Sequence, residues 1–286
     1  MARIKRSTGM KPEIMAKNMK SNSEKWNAIQ YDVLLKIFAT FNIMDVILRF
    51  STVCRSWRLV CSDPVLWKSH TIDLSALSNY FHAPPIPSVW SQVVSAGRCP
   101  HVKKLVLSAS NIISMKGFIM AIHNLKGLES MMVPCINSPY YIMKLIGQYC
   151  KNFSELKVMS PFDLDFATSI TTFLPRLKVL SLRCAIVHKN ALEHILDNLK
   201  HLEVLSISHC LFIYVSPRTN KPKYVYLNLC PILLQKATSR LREFYTCEKR
   251  SCIMCNRNFA DDDGALEWHE YDDEVWRVDE VTSLGY

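Results

Sequence analysis

The chain has 286 residues, a formal net charge of +10 and 49% hydrophobic residues, enough for one or two domains with a sizeable core. It contains no run of about 18 apolar residues, which excludes a membrane-spanning helix and places the expected compartment in the nucleus or cytoplasm. Eleven cysteines form an odd count without paired spacing, so reduced thiols are expected rather than a disulfide framework.

Residues 1–25 carry Arg3, Lys5, Arg6, Lys11, Lys17, Lys20 and Lys25 against Glu13 and Glu24 and have no apolar stretch. This is the pattern of a disordered basic arm, not of a secretory signal. Residues 26–70 then bring three apolar bursts: Val33, Leu34, Ile37, Phe38 and Phe41; Ile43, Val46, Ile47 and Phe50; Val53, Trp57, Val60 and Cys61. Steps of three and four put each burst on one helical face. Asp63-Pro64 reads as a cap followed by proline at the first helical position, ahead of Val65-Leu66-Trp67. The segment holds no clustered acid, base or nucleophile. A bundle of about forty residues cannot hide so many large side chains, so some are expected to meet a partner.

Trp26-x-x-Ile29-x-x-Asp32-Val33-x-x-x-Ile37, followed by Val53-Cys54-Arg55-Ser56-Trp57-Arg58 and Pro64-x-Leu66-Trp67, resembles the F-box. The resemblance implies that Trp26, Ile29, Val33, Ile37, Val53, Trp57 and Leu66 either form the F-box core or face a Skp-type adaptor. Most F-boxes carry Leu-Pro where this chain has Ile29-Gln30. Proline would stiffen that segment, so weaker adaptor docking is expected.

From Cys99 onward the sequence repeats the pattern a-x-x-b-x-x-c-x-d with four apolar anchors. The copies are Cys99, Val102, Leu105, Leu107; Leu125, Leu128, Met131, Val133; Cys150, Phe153, Leu156, Val158; Leu174, Leu177, Leu180, Leu182; and Leu199, Leu202, Leu205, Ile207. The c anchors step by 26, 25, 24 and 25 residues, within the leucine-rich-repeat range. Each c-x-d supplies a short strand with two buried side chains. Ser138-Pro139 opens an intervening helix with Ile142, Leu145, Ile146 and Tyr149 on one face; Asn190 opens another ahead of Leu192, Ile195, Leu196 and Leu199. The expected fold is an α/β solenoid: a three-helix F-box, then a repeat domain over 71–250 with parallel strands concave and helices convex.

Irregular copies flank the regular ones. Leu66, Ile72 and Leu74 satisfy a, c and d before the loop at Pro84-Pro85-Ile86-Pro87, and Leu241 and Phe244 sit at b and c after the basic loop 217–223 and a helix over 232–240. On each strand, the residues between and after the c and d anchors must point away from the core. These are Val106 and Ser108, Met132 and Pro134, Lys157 and Met159, Ser181 and Arg183, and Ser206 and Ser208, the predicted target-binding concave face. Apolar Val106, Met132 and Met159 there mark either a contact patch or positions that flanking helices or the tail cover.

Residues 251–286 read as an acidic, disordered tail; 261–286 carry ten Asp/Glu against Arg277. A basic body with an acidic tail could bind acidic partners, nucleic acid or itself; Trp268, Tyr271 and Trp276 could dock on the chain's own basic surface as an internal competitor. No nucleic-acid motif supports that partner. Cys247-x4-Cys252-x2-Cys255 with His269 downstream has one C-x-x-C pair where a structural zinc site normally shows two. It is read as small, partly buried thiols at the repeat cap, and no metal or cofactor is expected. The seven glycines form no phosphate cradle, no nucleophile elbow or zincin pair is present, and the acidic runs lack calcium-loop spacing.

Together these features resemble a plant-type F-box protein with C-terminal leucine-rich repeats. The resemblance implies a non-enzymatic substrate-recognition subunit of an SCF-type ubiquitin ligase. Its partners would be a Skp-type adaptor, through it a cullin–RING ligase, and an unidentified target protein. The alternative is a repeat scaffold for acidic proteins or nucleic acid, with the F-box as a cap.

Overall fold

The computed structural model describes residues 29–41, 45–67, 71–73, 102–107, 115–215, 222–226, 229–247, 252, 255 and 279–285. They belong to two units, Met1–Lys68 and Ser69–Tyr286.

In the first unit the leading burst forms α1 (Tyr31–Phe38). The second winds as a π-helical turn, Val46–Phe50, that runs into the short α2 (Ser51–Val53). Cys54 is fully extended, with φ −159° and ψ 175°, and so separates α2 from α3 (Arg55–Val60); its sulfur accepts the Trp57 amide at 3.5 Å as a cap. Asp63 caps the 3-10 turn Pro64–Trp67, accepting the Val65 amide at 2.8 Å, as its cap-and-proline pattern predicts. Leu34, Phe38, Val46, Val60 and Cys61 make the core. Phe38 stacks on Phe50 at 4.7 Å and meets Trp57 edge-on at 5.1 Å, joining all three bursts.

The second unit is built on a seven-stranded sheet in the order β1 (Thr71–Asp73), β2 (Lys104–Val106), β3 (Ser130–Val133), β4 (Glu155–Val158), β5 (Val179–Ser181), β7 (Val204–Ser206) and β10 (Glu243–Tyr245), with every pair parallel. The register aligns Ile72, Leu105, Met131, Leu156, Leu180, Leu205 and Phe244 in one row, which is the row of c anchors. Helices α4 (Met115–Asn124), α5 (Pro139–Tyr149), α6 (Leu164–Phe173), α7 (Lys189–Asn198) and α8 (Pro231–Arg240) lie between strands in sequence, each packing on the next. No one repeat can cover its own leucines; the stack makes one core from neighbours. The expected α/β solenoid is the fold.

Several details depart from the sequence reading. The helix assigned to begin at Asn190 begins at Lys189. The flanking a anchor, Leu66, packs instead against the core of the first unit, and Leu74 lies outside the described residues. A second sheet was not foreseen: β6 (Ile186–His188) pairs in parallel with β8 (Leu211–Val215), which pairs antiparallel with β9 (Pro222–Tyr226), so Pro222 and Lys223 of the basic segment 217–223 are strand, and the rest of that segment lies outside the described residues. Helix α6 carried no predicted start signal, yet Asp163 caps it by accepting the Phe166 amide at 2.8 Å.

Candidate functional site

The F-box residues sort into two sets. Ile29, Trp57 and Leu66 pack against the core of the first unit, whereas Val33, Ile37 and Val53 are 46%, 42% and 54% exposed. Val33 and Ile37 lie four residues apart on α1, and exposed Phe41 continues the same step. Leu59 on α3 is also exposed, at 64%. The surface therefore presents several large apolar side chains to solvent, which is chemistry for docking a protein. Trp26 lies outside the described residues.

At the Ile29-Gln30 departure, Gln30 caps α1 with φ −60° and ψ 144°, and its carbonyl accepts the amides of Val33 and Leu34 at 3.2 and 3.1 Å. That φ is the one proline would impose, so the backbone keeps the proline geometry without the ring. Tyr31 adds a tie across the unit: its hydroxyl donates to Asp63 at 2.7 Å.

The predicted concave set lies on a single sheet face, but that face is covered. Residues 279–285 form a strap across it, with a 3-10 turn at Thr282–Leu284. Val281 and Leu284 pack among Val106, Met132, Met159, Val179, Cys184 and Val204. Asp279 accepts from Lys157 at 3.3 Å and from Ser181 at 2.6 Å. Glu280 pairs with Arg183 at 3.1 Å and with His209 at 3.2 Å, and Lys104 donates to the Ser283 carbonyl at 2.7 Å. Burial alone would raise the Glu280 carboxyl, but the His209 hydrogen bond and the Arg183 charge outweigh it and hold the group at about 2.

Val106, Met132, Pro134, Lys157, Met159, Ser181, Arg183, Ser206 and Ser208 are accordingly all buried, and Ser108 lies outside the described residues. Two corrections follow. These residues do not form an open surface, because the end of the chain fills it. Residues 279–285 are also a packed part of the repeat unit, although the acidic composition reads as a disordered tail. Of the two openings left for Val106, Met132 and Met159, coverage by the tail is the one the structure takes. The anchors of the strap are Val281 and Leu284; Trp268, Tyr271 and Trp276 lie outside the described residues. The sequence reading also missed the row before the c anchors, where Lys104, Val179 and Val204 share the face. Strand alternation alone would have found it.

Behind the strap's Glu280, His209 sits beside Cys252 and Cys255, its Nδ1 3.4 Å from each sulfur. Burial, and then the neighbouring Cys247 and Cys252 thiols, push the Cys255 thiol well up. His269 lies outside the described residues.

A profile described as F-box-like matches residues 31–73, the stretch from α1 through β1. Among proteins of Arabidopsis thaliana, the F-box/LRR-repeat protein At3g48880 is 35% identical over 300 residues, covering 91% of this chain and 96% of its own length. Putative F-box/LRR-repeat protein 22 is 24% identical over 310 residues, covering 98% of this chain and 92% of its own. F-box protein SKIP19 is 24% identical over 217 residues, 66% of this chain and 70% of its own. A helical F-box unit and a parallel repeat stack define a two-part protein with leucine-rich repeats. The chain belongs to the F-box/LRR-repeat family.

Proposed function

We propose that this protein is the substrate-recognition subunit of an SCF-type E3 ubiquitin ligase. The observation that carries the reading is the exposed apolar set Val33, Ile37, Phe41, Val53 and Leu59 on the F-box unit. These residues dock a Skp-type adaptor, and the adaptor connects the chain to a cullin–RING ligase. The repeat unit holds a target protein so that its lysines reach a high local concentration near the charged ligase. The chain supplies no catalytic group of its own. It works in the nucleus or the cytoplasm.

The target meets the repeat unit with the strap in place, not the strand face beneath it. Clearing the strap would return Val281 and Leu284 to water, at about 1.5–3 kcal/mol for each large side chain. Lys104, Lys157, Arg183 and His209 are engaged by the strap, which weighs against a phosphate backbone as the ligand of this face. The test is recovery of the tagged chain from plant cells held under proteasome inhibition. Adaptor and cullin subunits should come with the wild-type chain and be lost from Val53→Asp. Their absence from the wild-type material counts against the reading.

A further inference from the structure

His209, Cys247, Cys252 and Cys255 offer four ligand atoms that all lie within 4.8 Å of one another. We propose that they hold one structural zinc ion, which clips the C-terminal end of the repeat stack. The inference concerns the integrity of the repeat unit and stands independently of the ligase reading.

The donor set selects the metal. Thiolates and imidazole are soft to borderline ligands, and three of the first with one of the second is a recurring set for tetrahedral Zn²⁺. Zn–S and Zn–N bonds of about 2.3 and 2.0–2.1 Å in a tetrahedron place sulfur and nitrogen about 3.5 Å apart. His209 Nδ1 lies 3.4 Å from both the Cys252 and the Cys255 sulfur, so these two edges match the tetrahedron, and all four donors lie within 4.8 Å of one another. Four protein ligands leave no open position, which makes the site structural rather than catalytic.

The fold brings these residues together from separate places. His209 follows β7 in a tight turn with φ 60°, and Cys184 takes the same left-handed turn one repeat earlier with φ 62°. Histidine tolerates that region better than most residues do, and from this turn the ring reaches Cys252, Cys255 and Glu280. Cys247 follows β10, whose Tyr245 carbonyl accepts the Ile207 amide at 2.9 Å, so the strand end lies beside the His209 turn. Cys252 and Cys255 complete the set from the segment beyond. The missing second half of the motif is thus supplied from an earlier repeat, about forty residues upstream of the cysteines, where no linear spacing rule looks for it.

The other ring nitrogen carries the outer support that zinc-bound histidines need. Nε2 of His209 lies 3.2 Å from a Glu280 oxygen, and Glu280 is held in turn by Arg183 at 3.1 Å. A carboxylate on the far nitrogen fixes the tautomer and ring plane and leaves Nδ1 free for the metal. Because Glu280 belongs to the strap, the same hydrogen bond ties the strap to the clip. A solenoid needs its last repeat closed, and here a metal closes it.

The test uses the full chain purified under reducing conditions from zinc-supplemented cells, with metal measured by plasma mass spectrometry. One zinc per chain is expected, and near-stoichiometric release on titrating the thiols with an organomercurial. Cobalt exchanged into the site should give the visible bands of tetrahedral Co²⁺ with thiolate charge transfer. His209→Ala and Cys252→Ser should lose the metal, and His269→Ala should keep it. Since His209→Ala could simply misfold, His209→Cys provides the check: a folded variant with four thiolate ligands should hold one zinc again. Glu280→Gln should retain zinc with affinity lower by about 10–100-fold in chelator competition. A reduced, folded wild-type chain that binds neither zinc nor cobalt overturns the site, as does full zinc in His209→Ala. Unchanged affinity in Glu280→Gln overturns the link to the strap.

Discussion

The Lys157 ammonium lies 3.3 Å from the Asp279 carboxylate, and neither side chain has any solvent exposure. Strand β4 and the end of the chain thus share a fully buried ion pair, with Ser181 completing it at 2.6 Å. Burial pushes the Lys157 ammonium down from its usual value, against the opposing pull of Asp279. Such a pair is weak as a source of net stability, but removing one partner typically costs about 3–5 kcal/mol. Asp279→Ala should therefore release the strap, because detachment lets Lys157 reach water. The expected readouts are faster proteolysis of the C-terminal segment and new binding of a hydrophobic dye to Val106, Met132 and Met159. A Lys157→Met/Asp279→Leu double variant should keep the strap docked.

Gly147 on α5 faces the backbone of α6. A Cβ built there would collide with the Phe173 carbonyl oxygen and lie 3.1 Å from its carbon. Helix propensity favours alanine over glycine by about 1 kcal/mol, but the backbone neighbour cannot give way as a side chain would. Gly147→Ala should thus lower the midpoint of chemical denaturation of the repeat unit despite the gain in propensity.

Gln30 already holds φ −60°. Proline substituted at a compatible φ stabilises by about 0.4–1 kcal/mol, mainly by restricting the unfolded chain. Gln30→Pro should raise the stability of the F-box unit and tighten adaptor binding a few-fold, read by denaturation and by titration calorimetry.

The Tyr31 hydroxyl is pushed up to about 12, first by its hydrogen bond to Asp63 and then by burial. A raised folded value means the stabilisation is complete below the unfolded value of 10.0 and is lost as pH rises through about 12. Tyr31→Phe should be less stable than wild type near neutral pH, and the difference should vanish above pH ~12.

The repeat stack was legible because its signal is periodic and local. Leu105, Met131, Leu156, Leu180 and Leu205 recur at nearly constant spacing, and the sheet aligns them as register partners. The charge imbalance between a basic body and an acidic end was also legible, and it is realised in Lys157–Asp279 and Arg183–Glu280. Which acidic residues would dock was not. The bulky Trp268, Tyr271 and Trp276 draw attention in the sequence and lie outside the described residues, whereas Val281 and Leu284, which pack among the described residues, are ordinary aliphatics at a spacing of three. His209 was hidden for a different reason: its neighbours in space come from a later repeat, and sequence distance carries no record of that proximity. In the F-box unit the pattern located the helices, but exposure separates Val33, Ile37 and Val53 from Ile29, Trp57 and Leu66, and only packing decides exposure.

In the proposed function, the exposed apolar residues of the F-box unit dock an adaptor. The most direct measurement is light scattering on the full chain co-expressed with a Skp-type adaptor, beside Ile37→Asp and Val53→Asp. Both substitutions place a charge on an exposed side chain, so the variants should fold as wild type does. The account predicts a one-to-one complex that survives high salt and is lost in both variants. A well-folded wild-type chain that stays alone in the presence of the adaptor would contradict it.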